Sequence, residues 1–416
     1  MRNQSLALTA LFAGALTALT LPAATAEFAI RDGDRVVLLG DSITEQRQYT
    51  TFIETYTLTR FPAWNLSFRN IGWGGDTAQG GLGRAGRDMM PLKPTFVTID
   101  FGMNDHGYRA FQQDIYTNYI DKQTKLTELL KQNGARVALL TPQPIEDKRP
   151  DPDQDVRNQA LRKMSDGLRD VATTQGVLFA DQFDPYMAVM LKARKAEPNA
   201  VIGAGDAVHP GPVGHTIMAW AVLKSLGATA AVSSAELDGA SGKVIASSGC
   251  QITDVKVADG SVRFVRADAS LPAPIDPAGE SVTKLIPLLD ELSRYELKVT
   301  GLTAPKYQLL IDDQPAAVFS AQELGQGCNL TLTAGPITEQ ARQVRNLVVE
   351  KNNHFFNRWR NVQLFSPPAW AKTPEFESVR EKELAKIDAQ IAELEAKINI
   401  ARKPVPHTFV LKPAQP

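Results

Sequence analysis

Cysteine is almost missing from this chain: Cys250 and Cys328 are the two among 416 residues. No C-x-x-C pair occurs, which removes the usual thiolate metal sites. Neither sign of charge is in surplus, since 45 Lys and Arg face 46 Asp and Glu for a formal net charge of −1. A chain so balanced has no global field to gather nucleic acid or anionic lipid. It also has no basic stripe interleaved with aromatics. After residue 26 there is no apolar run of the ~20 residues needed to cross a bilayer. What is left, 43% hydrophobic and 22% charged, is the composition of a soluble globular protein. The length suits two domains better than one.

Residues 1–26 stand apart from the fold. Arg2 supplies a basic start, an apolar stretch follows, and Ala24-Thr25-Ala26 offers an A-x-A cleavage site before Glu27. This is the pattern of a bacterial secretory signal peptide. A retained transmembrane anchor is the competing reading, weakened by Thr9, Thr17 and Thr20 within the span. The expectation is therefore an exported protein, periplasmic or extracellular, with no stable membrane insertion after cleavage. In such a compartment Cys250 and Cys328 can form a disulfide. They can equally remain two separate buried thiols, and the sequence leaves both open.

From Arg35 to about Gly227 apolar strand-like runs alternate with helical stretches. Strands are expected at 35–39, 66–71, 95–101, 136–141 and 178–181, and helices at 45–60, 113–131, 156–174 and 213–226. Such alternation predicts an α/β fold, a parallel sheet covered by helices on both faces. Beyond Gly227 short alternating runs separated by turn signals, including the Asp259-Gly260 hairpin signal, predict a small β domain. The loop Ala267–Ser281, rich in Pro and small residues, is expected on the surface. The remainder reads as helical. Leu384, Ile387, Ile391, Leu394 and Ile398, spaced by three and four, predict a helix packed back on its predecessor in an antiparallel hairpin. The expected organisation is 1–26 signal peptide, 27–232 α/β domain, 233–335 small β domain and 336–416 helical tail.

One stretch raises the question of chemistry. The strand Val36–Leu39 ends in Gly40-Asp41-Ser42 and a helix opens. A serine there is commonly a helix N-cap. It can also be a nucleophile, because ligands of open α/β folds bind at the carboxyl ends of the strands. Three further blocks should converge on the same edge: "NIGWGGDT" (70–77), "FGMND" (101–105) and "GDAVHPGPVGH" (205–215). Together they offer a hydroxyl on Ser42, an imidazole on His209 to take its proton, and Asp206 to orient that imidazole. The Ser42 and Gly75 N–H groups and the Asn104 amide would supply three donors for an oxyanion.

With those residues in place, the segment from about 35 to 227 resembles the SGNH hydrolases, the GDSL esterase/lipase family. Ser42 of "GDSI", Gly75 of "GGDT", Asn104 of "GMND" and the D-x-x-H pair Asp206 and His209 match its four blocks in order. The resemblance implies a three-layer α/β/α flavodoxin-like domain and a serine esterase site that uses neither metal nor cofactor. Thr44 stands where the second glycine of the G-x-S-x-G elbow would fall, which disfavours the α/β-hydrolase fold. The β segment and helical tail resemble a multidomain subgroup of exported bacterial members.

Other residues have more ordinary readings. Asp41, Asp76 and Asp105 are expected to hold turns through backbone N–H groups. His215, opening a helix, is expected to contact backbone, and His354 to lie on the surface. Trp73 could stack on a sugar or plug its loop onto the core. His106 could line the pocket. Trp73 and Tyr108 offer flat faces suited to a sugar ring. The expected partner is a small acyl ester, foremost an acetylated glycan, and no nucleic acid. Two alternatives stand beside it: a lysophospholipase or thioesterase of the same family, and a carbohydrate-binding scaffold built on a vestigial hydrolase.

Overall fold

The computed structural model describes residues 27–149, 151–203 and 205–414. The signal peptide expected at 1–26 lies outside the described residues. The elements of the first region are β1 (Arg35–Gly40), α1 (Ser42–Glu45), α2 (Gln48–Arg60), β2 (Ser67–Asn70), α3 (Ala78–Asp88), β3 (Phe96–Asp100) and α4 (Gln113–Gln132). They continue with β4 (Arg136–Leu140), α5 (Val156–Gln175), β5 (Leu178–Ala180), α6 (Phe183–Ala196) and α7 (Pro212–Ser225). The five strands form one parallel sheet in the order β2-β1-β3-β4-β5. Successive side chains of a strand face opposite ways, and the buried runs here feed two cores. Val36 and Leu38 join α2, α6 and α7. Val37 and Leu39 join α3, α4 and α5. The result is the expected α/β sandwich with helices on both faces.

The second region contains β6 (Ala231–Asp238), β7 (Val244–Ser248), β8 (Cys250–Ala258), β9 (Ser261–Asp268), α8 (Leu288–Leu292) and β10 (Arg294–Thr300). Then come β11 (Lys306–Ile311), β12 (Gln314–Ser320), α9 (Ala321–Gln326) and β13 (Cys328–Asn329). With a last strand β14 (His407–Pro413) they form two further sheets, β13-β10-β6-β7 and β12-β11-β14-β9-β8. The third region supplies α10 (Pro336–Phe356), α11 (Pro374–Ala401) and β14 (His407–Pro413). Residues 336–416 are therefore not helical throughout. The chain returns after α11 as β14, which pairs antiparallel with both β11 and β9. Phe409 and Leu411 of β14 lie in one apolar cluster with Leu297, Phe264, Leu309 and Val344, so both sheets and α10 share a core. Helices α10 and α11 form the antiparallel pair. Gln340 near the start of α10 donates to the Ala401 carbonyl (2.8 Å) at the end of α11. Ile387, Ile391, Leu394 and Ile398 are buried against it, with Leu384 half-buried.

The surface expectation for Ala267–Ser281 fails in its middle. Leu271 (1% exposed), Ala273 (4%) and Ile275 (6%) are buried. Leu271 enters the β-domain core, and Ala273 and Ile275 enter the α2–α6–α7 core. Pro272 and Pro274 bring no N–H that would need a partner. The neighbouring N–H groups are satisfied, Leu271 by the Thr59 carbonyl (3.1 Å) and Ala273 by Ser293 Oγ (3.0 Å). A proline-rich segment can thus be buried at little hydrogen-bonding cost, and here it joins two apolar cores. Cys250 and Cys328 are free thiols. Cys328 sits in β13, Cys250 touches the Ser234 carbonyl of β6, and β10 lies between those strands.

Candidate active site

The site is built where β1, β2 and β3 end. Gly40 closes β1 because a side chain there would collide with Thr44 Oγ1 and the Asp100 carbonyl. Asp41, rather than Ser42, caps α1: its Oδ1 accepts from the Ile43 N–H at 2.9 Å. Ser42 is thereby freed from the capping role and becomes the first helical residue. The N–H groups of a first turn have no intrahelical acceptor. Thr44 is buried, with its hydroxyl 2.8 Å from Tyr49 OH.

His209 reaches this serine from the loop before α7. Ser42 Oγ lies 2.9 Å from His209 Nε2. On the far side of the ring Nδ1 lies 3.0 Å from Asp206 Oδ2 and 3.2 Å from Oδ1. Nδ1 facing a carboxylate carries the proton, and Nε2 faces the hydroxyl as acceptor. Asp206 also accepts from the N–H groups of Val208 (2.8 Å) and His209 (2.6 Å). Its slight burial works against the charge. Those N–H groups and the His209 ring outweigh it and hold the carboxyl below its ordinary value. The loop is fastened from β4's side: Gln143 donates to the Val208 carbonyl (2.9 Å), and buried Glu146 accepts from Ile202 and Gly203 (2.7 and 2.8 Å).

Gly75 occupies the left-handed region, φ +75°, in the loop after β2. No atom would crowd a side chain there, so the backbone angle alone calls for glycine. Asn104 follows β3. Its Nδ2 donates one hydrogen to the Asp76 carbonyl at 2.9 Å, which ties its loop to that of Gly75 and leaves a second hydrogen. Tyr108 OH donates to Asn104 Oδ1 at 2.6 Å and so fixes which way the amide faces. Asp105 accepts from Ala78 and Gly102, both at 3.0 Å. Asp76 accepts from the Thr77 N–H (2.9 Å) and pairs with Arg84 (2.7 Å), which donates to the Gly40 carbonyl (3.3 Å). Three loops are thus laced together beneath Ser42. The carboxyls in this floor are hard to ionise. Burial pushes Asp100 and Asp105 up to about 7 and raises Asp41 well above its ordinary value, with Asp100 adding to the effect on Asp41.

Several side chains sit elsewhere than the sequence suggested. Trp73 is half-buried and packs on protein, the second of its two expected roles. Arg360 lies 3.5 Å from its ring centroid, Arg87 and Arg84 at 5.4 and 5.7 Å, and the Trp359 ring meets it edge-on at 5.7 Å. It anchors its loop to the C-terminal helices through cation–π contacts. His106 is 2% exposed and is not among the residues that line the cleft over Ser42. Its Nδ1 bonds the Met103 carbonyl (2.6 Å), burial lowers its pKa, and its ring supports Tyr108 at 5.1 Å. His215 contacts a side chain instead of backbone: Nε2 lies 2.7 Å from Gln46 Oε1, and the ring stacks on Tyr49. His354 is half-buried.

The sequence reading missed the far wall. The cleft over the serine is lined by Ser42, Glu45, Gln46, Arg47, Asp206, His209 and Phe356, the last residue of α10. Arg47 lies over the Phe356 ring (4.3 Å), and Arg360, in a π-helical turn after α10, pairs with Glu45 (3.4 Å). The available signal was the aromatic and basic cluster "HFFNRWR" (354–360) in an otherwise polar helix.

Residues 38–217 match the GDSL-like lipase/acylhydrolase family. An acetylxylan esterase of Geobacillus stearothermophilus is 25% identical over 219 residues, 48% of this chain and 96% of that protein. Among solved structures, a gut microbial diltiazem-metabolizing enzyme superposes with a TM-score of 0.82 at 25% identity, covering 94% of this chain and 100% of that one.

Proposed function

The chain belongs, through residues 38–217, to the GDSL-like lipase/acylhydrolase family of SGNH esterases, and from that premise we propose that it cleaves short acyl esters, acetyl foremost, from carbohydrates, with Ser42 as nucleophile. The observation that carries this reading is the relay Ser42 Oγ–His209 Nε2 (2.9 Å) and His209 Nδ1–Asp206 (3.0 Å). Ser42 Oγ attacks the ester carbonyl while Nε2 takes its proton. The resulting imidazolium is stabilised by Asp206, which itself moves no proton. The oxyanion is received by the N–H groups of Ser42 and Gly75 and by the second hydrogen of Asn104 Nδ2. Collapse expels the alcohol with the proton from Nε2 and leaves an acyl-serine. Water, deprotonated by the same nitrogen, then releases the carboxylic acid and restores Ser42.

The acyl preference is supported by the lining. Phe356 is the one large apolar side chain among the cleft residues, and the rest are polar or charged. A long acyl chain would gain about 0.8 kcal/mol per buried CH₂ only against an apolar wall. That weighs against a lysophospholipase. The filled triad positions weigh against a vestigial scaffold. The acetyl assignment is further supported by the likeness to an acetylxylan esterase.

Ser42→Ala should abolish p-nitrophenyl acetate hydrolysis while the circular dichroism spectrum is retained; a variant that keeps most of its turnover overturns the mechanism. The substrate class is read by kcat/KM on acetate, butyrate and octanoate esters and on diltiazem, a bulky molecule bearing one acetyl ester. A tenfold rise toward octanoate, about 1.4 kcal/mol, would favour the lipid reading. Export is part of the same proposal. It predicts a mature protein whose first residue is Glu27, read by amino-terminal sequencing.

A further inference from the structure

Beside the catalytic cleft lies a second cleft, bounded by α2, α7, the segment Pro274–Asp276 and α10. Gln46 and Arg47 line both. They stand one turn beyond Ser42, so the two spaces adjoin around the helix that carries the nucleophile. We propose that this second cleft binds the neutral carbohydrate from which the acyl group is removed, an inference that rests on the ester-hydrolase reading above.

The lining sets amides and hydroxyls among the apolar side chains Phe52, Pro212, Pro274 and Val349. Gln46, Gln48 and Asn353 present side-chain amides, and Thr51, Thr55 and Thr216 present hydroxyls. Amides donate and accept at once, as paired sugar hydroxyls require, and a few fixed polar groups are what orient a ligand in a cleft. The charges at hand are largely accounted for. Asp276 is paired with Arg345. Arg47 donates to the Glu45 carbonyl (2.9 Å) and lies over Phe356. An anionic ligand would find little uncommitted positive charge.

His215 points independently to a ligand. It lines the cleft although only 1% exposed. Its Nε2 faces Gln46 Oε1 at 2.7 Å and so carries the hydrogen. Nδ1 is then a bare acceptor, and it has no hydrogen-bond partner. A buried acceptor left unpaired is costly, and a ligand hydroxyl would satisfy it. Burial, with a smaller contribution from His209, pushes this histidine down to about 3, so it stays neutral and suits an uncharged O–H group.

Two regions of the chain meet to make the site. Gln46 and Gln48 come from the hydrolase region, and Asn353 comes from α10 about 300 residues later. This gives the C-terminal helices a place in substrate selection.

The test is direct binding by the full chain, independent of turnover. Xylotetraose, mannotetraose and cellotetraose are titrated calorimetrically into the wild type, Asn353→Phe and Gln48→Leu. Both substituted side chains are exposed, so the fold should tolerate the changes. At least one sugar should bind the wild type, and each variant should weaken it tenfold or more. If none of the three binds, or if both variants bind as tightly as the wild type, the proposal is overturned. The ester-hydrolase reading is judged separately by p-nitrophenyl acetate turnover in Ser42→Ala. A protein that binds the sugar without esterase activity sinks that reading and keeps this site.

Discussion

In the proposed mechanism Asn104 supplies an oxyanion donor, and Tyr108 aims it. Asn104 Nδ2 can reach a developing oxyanion only if its oxygen is turned away, and Tyr108 OH holds that oxygen at 2.6 Å. Tyr108 does so from a strained position, φ +58°. Asn104→Ala should lower kcat by roughly 10²–10³, the usual scale for one lost oxyanion donor. KM should change less, because the charge develops after binding. Tyr108→Phe should keep the donor but release its orientation, with a smaller loss that again falls on kcat. Equal losses would merge the two roles, and an unchanged kcat in Asn104→Ala would remove it from the oxyanion hole. These residues were legible in the sequence to different depths. Ser42, Gly75, Asn104 and His209 could be placed because each follows a strand or precedes a helix whose pattern is plain. Tyr108's grip on Asn104 could not, since it depends on a backbone angle that no spacing announces. Trp73 kept two readings because what covers its ring, Arg360 and Trp359, comes from chain nearly 300 residues away, and His106 was misjudged because its depth is set by the local path of the backbone.

At the scale of elements, α10 is bound to α2 by buried charge. Lys351 Nζ lies 2.6 Å from Glu54 Oε1, and Asn352 donates to Glu54 Oε2 at 3.0 Å. Lys351 is 1% exposed and Glu54 3%. Burial pulls the Lys351 pKa down, and Glu54 works against that fall. Lys351→Met should cost about 3–5 kcal/mol, because it strands the Glu54 carboxylate. Lys351→Met combined with Glu54→Leu should recover much of the loss, since a well-packed apolar pair often replaces a buried ion pair without penalty. Chemical denaturation of both variants checks this, and a double variant no more stable than the single one refutes it. The long helices α4, α5 and α7 were readable from their apolar spacing. Helix α3, "AQGGLGRAGRD", was not: its four glycines disfavour a helix locally, and a Thr77 cap and tertiary packing make it. Strand β14 is seven residues after a proline turn, and its β character comes from the two partners it lies between.

For the molecule as a whole, the acidic floor beneath the active site predicts how stability varies with pH. Asp100 is fully buried, and its Oδ1 accepts from Gln182 (3.1 Å) while Oδ2 has no partner. Its folded pKa of about 7 lies above the ordinary value of 3.8. The folded state therefore binds the proton more tightly than the unfolded chain. Stability from this group is complete below about pH 4 and is lost as pH rises through about 7. Asp105, also near 7, acts in the same direction. Asp100→Asn should gain melting temperature relative to the wild type as pH rises from about 4 to about 7, then hold a constant difference. Melting curves that stay parallel across that range would show that Asp100 is ionised throughout.

The position of β14 also sets an order of events during synthesis. In the finished sheet it lies between β11 and β9, with Phe409 opposite Phe264. When β9 leaves the ribosome its partner is roughly 150 residues from being made, a wait of about 7–30 s at ordinary translation speeds. Through that interval β9 and β11 each present an open, hydrogen-bond-ready edge to the cell. A chaperone that masks strand edges should therefore raise the soluble yield of the full chain. It should do little for a chain stalled before residue 407, where the missing strand never arrives.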